Sequence, residues 1–247
     1  VSWDAALKDY KAAMLKLPAD RALTKEDLLA EPFLIAINGE LEVYYSPHNE
    51  YVNDAAEIVI MGLTPGWAQM KIAYEEALRC MRQGLADEET VKRAKAAARF
   101  AGPMRRNLIA FLDELELYRY LRISSSEELF GEADKLLHTV SALRYPVFKN
   151  KRNYTGSQPE LVSTPFLADW ACESIAGELR QLRNQPLIIP LGKAVEGVLN
   201  LLVQDGQLAA ERVLWGFPHP SGANGHRKAQ FQQNKSSMLS MLRQYFT

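Results

Sequence analysis

Cysteine is nearly absent from this sequence, with two residues in 247, Cys80 and Cys172. They stand far apart, match no metal motif and build no disulfide framework, which fits a reducing, cytoplasmic setting. Histidine is scarce too: there are four, none paired as H-x-x-x-H, so no zinc site is expected. An excess of either charge is missing, since 29 Lys and Arg meet 30 Asp and Glu for a net charge of -1. Such a chain does not coat nucleic acid by bulk charge, so any contact must come through a local basic patch. No apolar run reaches the ~18–20 residues that cross a bilayer. Asp4, Lys8, Asp9, Lys11 and Lys16 are unlike a signal peptide, so no membrane partner is expected. Gly192-Lys193-Ala194 lacks the rest of a P-loop, and neither G-x-G-x-x-G nor G-x-S-x-G occurs.

What is present reads as an ordinary globular chain, 47 % hydrophobic and 24 % charged. Ser2 stands as an N-cap before Ala5, Leu7, Tyr10, Met14 and Leu17, spaced as one helical face. Thr24 with Asp27 predicts a capped short helix, and Leu41 to Ser46 a strand. Residues 1–50 therefore read as an N-terminal helical extension packed on a core domain of residues 51–247. In that domain EIVIMG (57–62), LLHTVSAL (136–143), PLIIPLG (186–192) and RVLWG (212–216) read as buried strands. Helical stretches separate them, at about 67–84, 88–100, 103–117, 165–182 and 194–203, and a last one closes the chain. Strands alternating with helices predict a three-layer α/β/α sandwich around a mostly parallel four-stranded sheet. In such sheets ligands gather beyond the carboxyl ends of the strands.

Two loops leave strands there. Gly62-Leu63-Thr64-Pro65-Gly66 leads from the first core strand into a helix. It suits close approach of backbone N–H groups to an anion or carbonyl, and equally an ordinary turn. His219-Pro220-Ser221-Gly222-Ala223-Asn224-Gly225 leaves the last strand with an imidazole, a hydroxyl and flexible glycines, beside His226, Arg227, Lys228 and Lys235.

In order and strand context, GLTPG (62–66) and HPSG (219–222) resemble the two motifs of the uracil-DNA glycosylase superfamily. LLHTVSALR (136–144) is similar to that family's base-reading strand, and PLIIPLGKAVEGVL (186–199) to its strand-Gly-helix unit. The resemblance covers about residues 55–247. It implies a metal-free and cofactor-free base-excision enzyme that flips a deaminated base, such as uracil, out of DNA and hydrolyses its N-glycosidic bond. It implies that His219 stabilises the departing base and that Thr64 orients the water. Gly62, Leu63, Pro65, Gly66 and Trp67 would shape the pocket, with His138 reading the base. Ser221, Gly222, Asn224 and Lys235 would hold DNA phosphate.

The sequence departs from the family pattern at three points. Thr64 stands where many relatives carry a carboxylate or amide, His138 where they often carry Asn, and SGANG offers no bulky wedge. An alternative is therefore a catalytically degenerate nucleic-acid or nucleobase binder of the same fold, and a third reading is an enzyme of free nucleosides. DNA, single- or double-stranded, is the expected partner, and no obligate protein partner is evident. KRAKAAARFAGPMRR (92–106) has six basic residues and no acid, and a second basic stretch interleaves Arg144, Lys149, Lys151 and Arg152 with Tyr145, Phe148 and Tyr154. Both read as strand-binding patches or as solvated and packed faces.

Overall fold

The structure is a computed structural model that describes residues 6–100 and 102–247. Ser2 and Ala5 of the expected first helix lie outside the described residues. In chain order the elements are α1 Leu7–Met14, α2 Lys25–Leu28, β1 Leu34–Asn38, β2 Leu41–Tyr44, β3 Ile58–Gly62, α3 Trp67–Arg82, α4 Asp87–Ala98 and α5 Pro103–Glu114. Then follow α6 Leu117–Leu121, β4 Leu137–Ser141, β5 Val147–Lys149, β6 Arg152–Asn153, α7 Pro165–Gln181, β7 Leu187–Pro190, α8 Lys193–Gln204 and α9 Arg227–Tyr245. They divide into two compact units. One takes the residues up to Tyr51, with Thr64–Arg99 and Leu143–Pro159; the other takes Val52–Leu63, Phe100–Ala142 and Glu160–Thr247. Among the described residues no helix is long and apolar enough to cross a membrane.

The second unit is α/β. Its sheet is parallel in the order β4-β3-β7. Ile58, Ile60, Leu137, Leu187 and Ile189 share one cluster with Leu108 and Phe111 of α5 and Phe231, Met238 and Leu242 of α9. On the opposite face, Val59 pairs in register with His138, and His138 meets Glu178 of α7. Helices thus cover both faces, as the apolar runs with no alternation require.

The expected fourth strand is shorter than predicted. RVLWG contributes one bridge, Ile188 to Val213. Leu214 N–H donates to Ile188 O, Trp215 N–H then folds back onto Val213 O, and Gly216 turns at φ +89°. The segment rejoins the end of β7 only where Gly192 N–H donates to Phe217 O. Three strands and a bridge replace the predicted four.

The first unit holds an antiparallel sheet in the order β1-β2-β5-β6. Residues 1–50 are therefore more than a helical extension: β2 pairs with β5, which lies in the second basic stretch. The interleaved aromatics of that stretch are core, with Tyr145, Phe148 and Tyr154 all buried. Lys149 pairs with Glu40, and Lys151 with Glu42. In the other basic run Lys95 is buried with its Nζ on Tyr51 O, and Arg93 pairs with Glu89.

Inside the second unit, the His138–Glu178 pair is buried, with Nε2 and Oε1 2.7 Å apart. Truncating either partner removes a buried hydrogen bond from the other. We expect His138→Ala or Glu178→Ala to cost about 3 kcal/mol, a fall of roughly 10 °C in Tm. Replacing both by Leu is expected to cost less than either single change. Chemical denaturation of the three variants decides it, and single variants within 1 kcal/mol (about one hydrogen bond) of the parent would refute the account.

Candidate functional site

β3 ends at Gly62, and Ala142 N–H donates to Gly62 O just beyond β4. A Cβ at Gly62 would lie 3.9 Å from Ser141 Oγ, so these two residues share the carboxyl edge of the sheet. His138 does not. It pairs with Val59, three residues before the end of β4, which is about 10 Å from that edge at the rise of a strand. It is 1 % exposed, Glu178 holds one ring nitrogen, and Asn53 N–H donates to the other at 3.3 Å. The side chain implied as base reader is thus locked in the core, and Ser141 stands at the strand end.

The first motif divides at the unit boundary, after Leu63. In the first unit, Thr64 Oγ1 donates to Tyr145 O (2.9 Å) and accepts from Val147 N–H (3.1 Å). Its single proton is committed, so it offers a water only an acceptor lone pair. Pro65 is buried, and Gly66 caps α3, with its N–H on Gln69 Oε1. Trp67 is half-buried, its N–H held by Asn153 Oδ1 and its ring 6.0 Å from Lys25 Nζ.

The second motif lies wholly in the second unit and beside a cavity of about 150 Å³. His219 lines it with Gly192, Glu196, Phe217, Gln230 and Asn234, among others. Ser221 N–H donates to His219 Nδ1 at 3.2 Å. An Nδ1 that accepts puts the proton of the neutral ring on Nε2, which makes that nitrogen a donor. Burial pushes the His219 pKa below its usual value, so the ring stays neutral at pH 7.

The other phosphate candidates differ among themselves. Ser221 Oγ accepts from Ala223 N–H and keeps its own proton to donate. Gly222 is exposed, with open space where a Cβ would stand. Asn224 braces the loop instead: its Nδ2 donates to His219 O and Gln230 Oε1, and its Oδ1 accepts from His226 N–H. Lys235 pairs with Glu114 at 2.8 Å.

Glu196, Gln230 and Asn234 have no local sequence signature and were missed. Gly192 carried one, a glycine directly after a buried strand. Its φ of +92° and ψ of 168° lie in a region open essentially to glycine alone. A Cβ there would meet His219 Cβ at 3.1 Å. Gly192→Ala is expected to cost about 1–3 kcal/mol and to shift the His219 NMR signals. Denaturation together with a histidine spectrum checks both effects, and an unchanged spectrum would separate Gly192 from the site.

No protein-family model matches the chain. A search of solved structures found a likeness to the crystal structure of wild-type Pedobacter heparinus SMUG2. The identity is 10 % and the TM-score 0.48, with 95 % of this chain and 97 % of that one covered. Among curated proteins, the uncharacterized protein YoxB of Bacillus subtilis (strain 168) is 44 % identical over 241 residues, which is 98 % of this chain and 93 % of YoxB. Identity of that extent along nearly the whole of both chains places this protein in the family of YoxB.

Proposed function

We propose that this protein is a DNA base-excision glycosylase that hydrolyses the N-glycosidic bond of a deaminated base. The observation that carries the reading is His219. It stands in the HPSG loop beside a cavity of about 150 Å³, neutral, with its proton directed to Nε2 by the Ser221 N–H. Breaking the bond leaves an oxocarbenium-like sugar and puts negative charge on the departing base. A preorganised N–H donor lowers the barrier by stabilising that charge as it develops. In this reading the Ser221 hydroxyl and the Gly222 backbone hold a DNA phosphate. Gly62 and Leu63, at the end of β3, shape the pocket. His138 serves the fold, paired with Glu178.

The test is strand scission. Labelled single- and double-stranded oligonucleotides carrying uracil, hypoxanthine or xanthine are incubated with the protein and then cut with alkali at abasic sites. Cleavage that depends on His219 is expected with at least one base. No cleavage on any substrate, with salt-sensitive DNA binding retained, would favour the second reading, a nucleic-acid binder without excision. The commitment of the Thr64 hydroxyl to Tyr145 and Val147 is the observation behind that alternative.

A further inference from the structure

We propose that Glu196 of α8 and Asn234 of α9 are positioning residues, a two-sided clamp on the Gly216 peptide that fixes the orientation and tautomer of His219. Gly216 N–H donates to Glu196 Oε1, and Gly216 O accepts from Asn234 Nδ2 at 2.8 Å. Gly216 has φ +89°, and a Cβ there would lie 3.0–3.1 Å from the Asn234 side chain, so the peptide is fitted closely to α9. The next residue is tied as well: Phe217 O accepts from Gly192 N–H. Pro218 has no N–H to satisfy, and His219 follows, closed off by Ser221 N–H on Nδ1. The backbone leading into His219 is thus held by side chains from two helices and by the end of β7.

A solvated Glu in the first turn of a helix already gains from the helix dipole. Glu196 instead turns inward. Burial raises its pKa, while Gly216 and Phe217 N–H groups oppose that rise. A carboxylate partly withdrawn from water, with its contacts on the peptide that carries His219, holds geometry at a cost in hydration. The catalytic consequence rests on the glycosylase reading. The positional one does not.

The experiment labels the histidines of the full chain with ¹⁵N and reads the His219 tautomer from long-range ¹H–¹⁵N spectra. His219 is identified as the signal set missing in His219→Gln. The parent is expected to show a single Nε2–H tautomer. Glu196→Gln should keep it, because the amide oxygen still accepts from Gly216 N–H. Glu196→Ala and Asn234→Ala should each give an averaged mixture of tautomers. If Glu196→Ala does not fold, Asn234→Ala and the milder Asn234→Ser, which draws the side chain away from Gly216 O, decide the question. Parent-like His219 signals in the folded Asn234 variants would overturn the clamp. A Gln variant that behaves like Ala would also overturn it, because the cause would then be charge. Base release supplies a second readout: the Ala variants should lose on the order of tens- to a hundredfold in kcat with KM little changed, and Glu196→Gln should retain activity. If the parent releases no base, the glycosylase reading fails while the spectra still decide the clamp.

Discussion

His219→Ala is expected to lower base release by about 10²–10³-fold, the usual loss on removing one donor to a developing negative charge. Folding stability should change little, because the imidazole is only partly buried and its single internal bond comes from Ser221 N–H. The donor is worth so much because it is preorganised. Ser221 selects the tautomer, Gly192 packs against the His219 Cβ, and burial keeps the ring neutral. Protonating Nδ1 would set an N–H against the Ser221 N–H. The rate should therefore be flat across neutral pH and change only below the ordinary histidine range. Single-turnover scission beside a thermal melt measures both effects. Excision at the parent rate in a folded His219→Ala would remove His219 from the chemistry.

The parts legible in the sequence were those whose cause is local. IVIMG and LIIP carry β-branched apolar runs, and both are strands buried on two faces. Pro103 and Pro165 mark helix starts because their missing N–H groups are not needed there. The β1–β2 hairpin also had a local signal, Asn38-Gly39, with Gly39 at φ +58° between the paired Asn38 and Leu41. Residues 34–38, LIAIN, show no clean alternation to go with that turn. β5 and β6 are too short to show a pattern: β5 has three residues and pairs with distant β2, and β6 has two and pairs with β5 across the Asn150-Lys151 turn. The candidate site divides along the same line. The HPSG loop announces itself, but Gly216 is held by residues 20 and 18 positions away in sequence, and His138 by one 40 positions away. Whether an imidazole is a reader or a core residue depends on that remote partner.

Acid should destabilise the first unit before most carboxylates titrate, and His48 is the reason. It is 4 % exposed, with Nδ1 2.9 Å from Ser46 Oγ, and burial, aided by the nearby Lys95 ammonium, lowers its pKa to about 3. Unfolded, it titrates near 6.5. Above that pH neither state binds the proton, and His48 adds no pH dependence. Between about 6.5 and 3 the unfolded chain takes a proton that the folded one refuses, so stability falls as pH falls, by up to ~1.4 kcal/mol per unit. Over the full window this amounts to about 4 kcal/mol, a large part of a typical domain's stability. Glu50 works in the opposite direction. Burial raises its pKa against the hydrogen bonds from Tyr45 and Leu7, so the folded state takes up that proton first and the acid loss is partly offset. Between pH 6.5 and 5 His48 should account for about 2 kcal/mol. Denaturation of the parent and of His48→Asn, which keeps a polar atom near Ser46, should show the variant's acid limb flatter by about that amount, with His219 supplying a slope of the same sign in both. Parallel limbs would mean that His48 charges in the folded protein as readily as in the unfolded chain, and that its burial carries no cost.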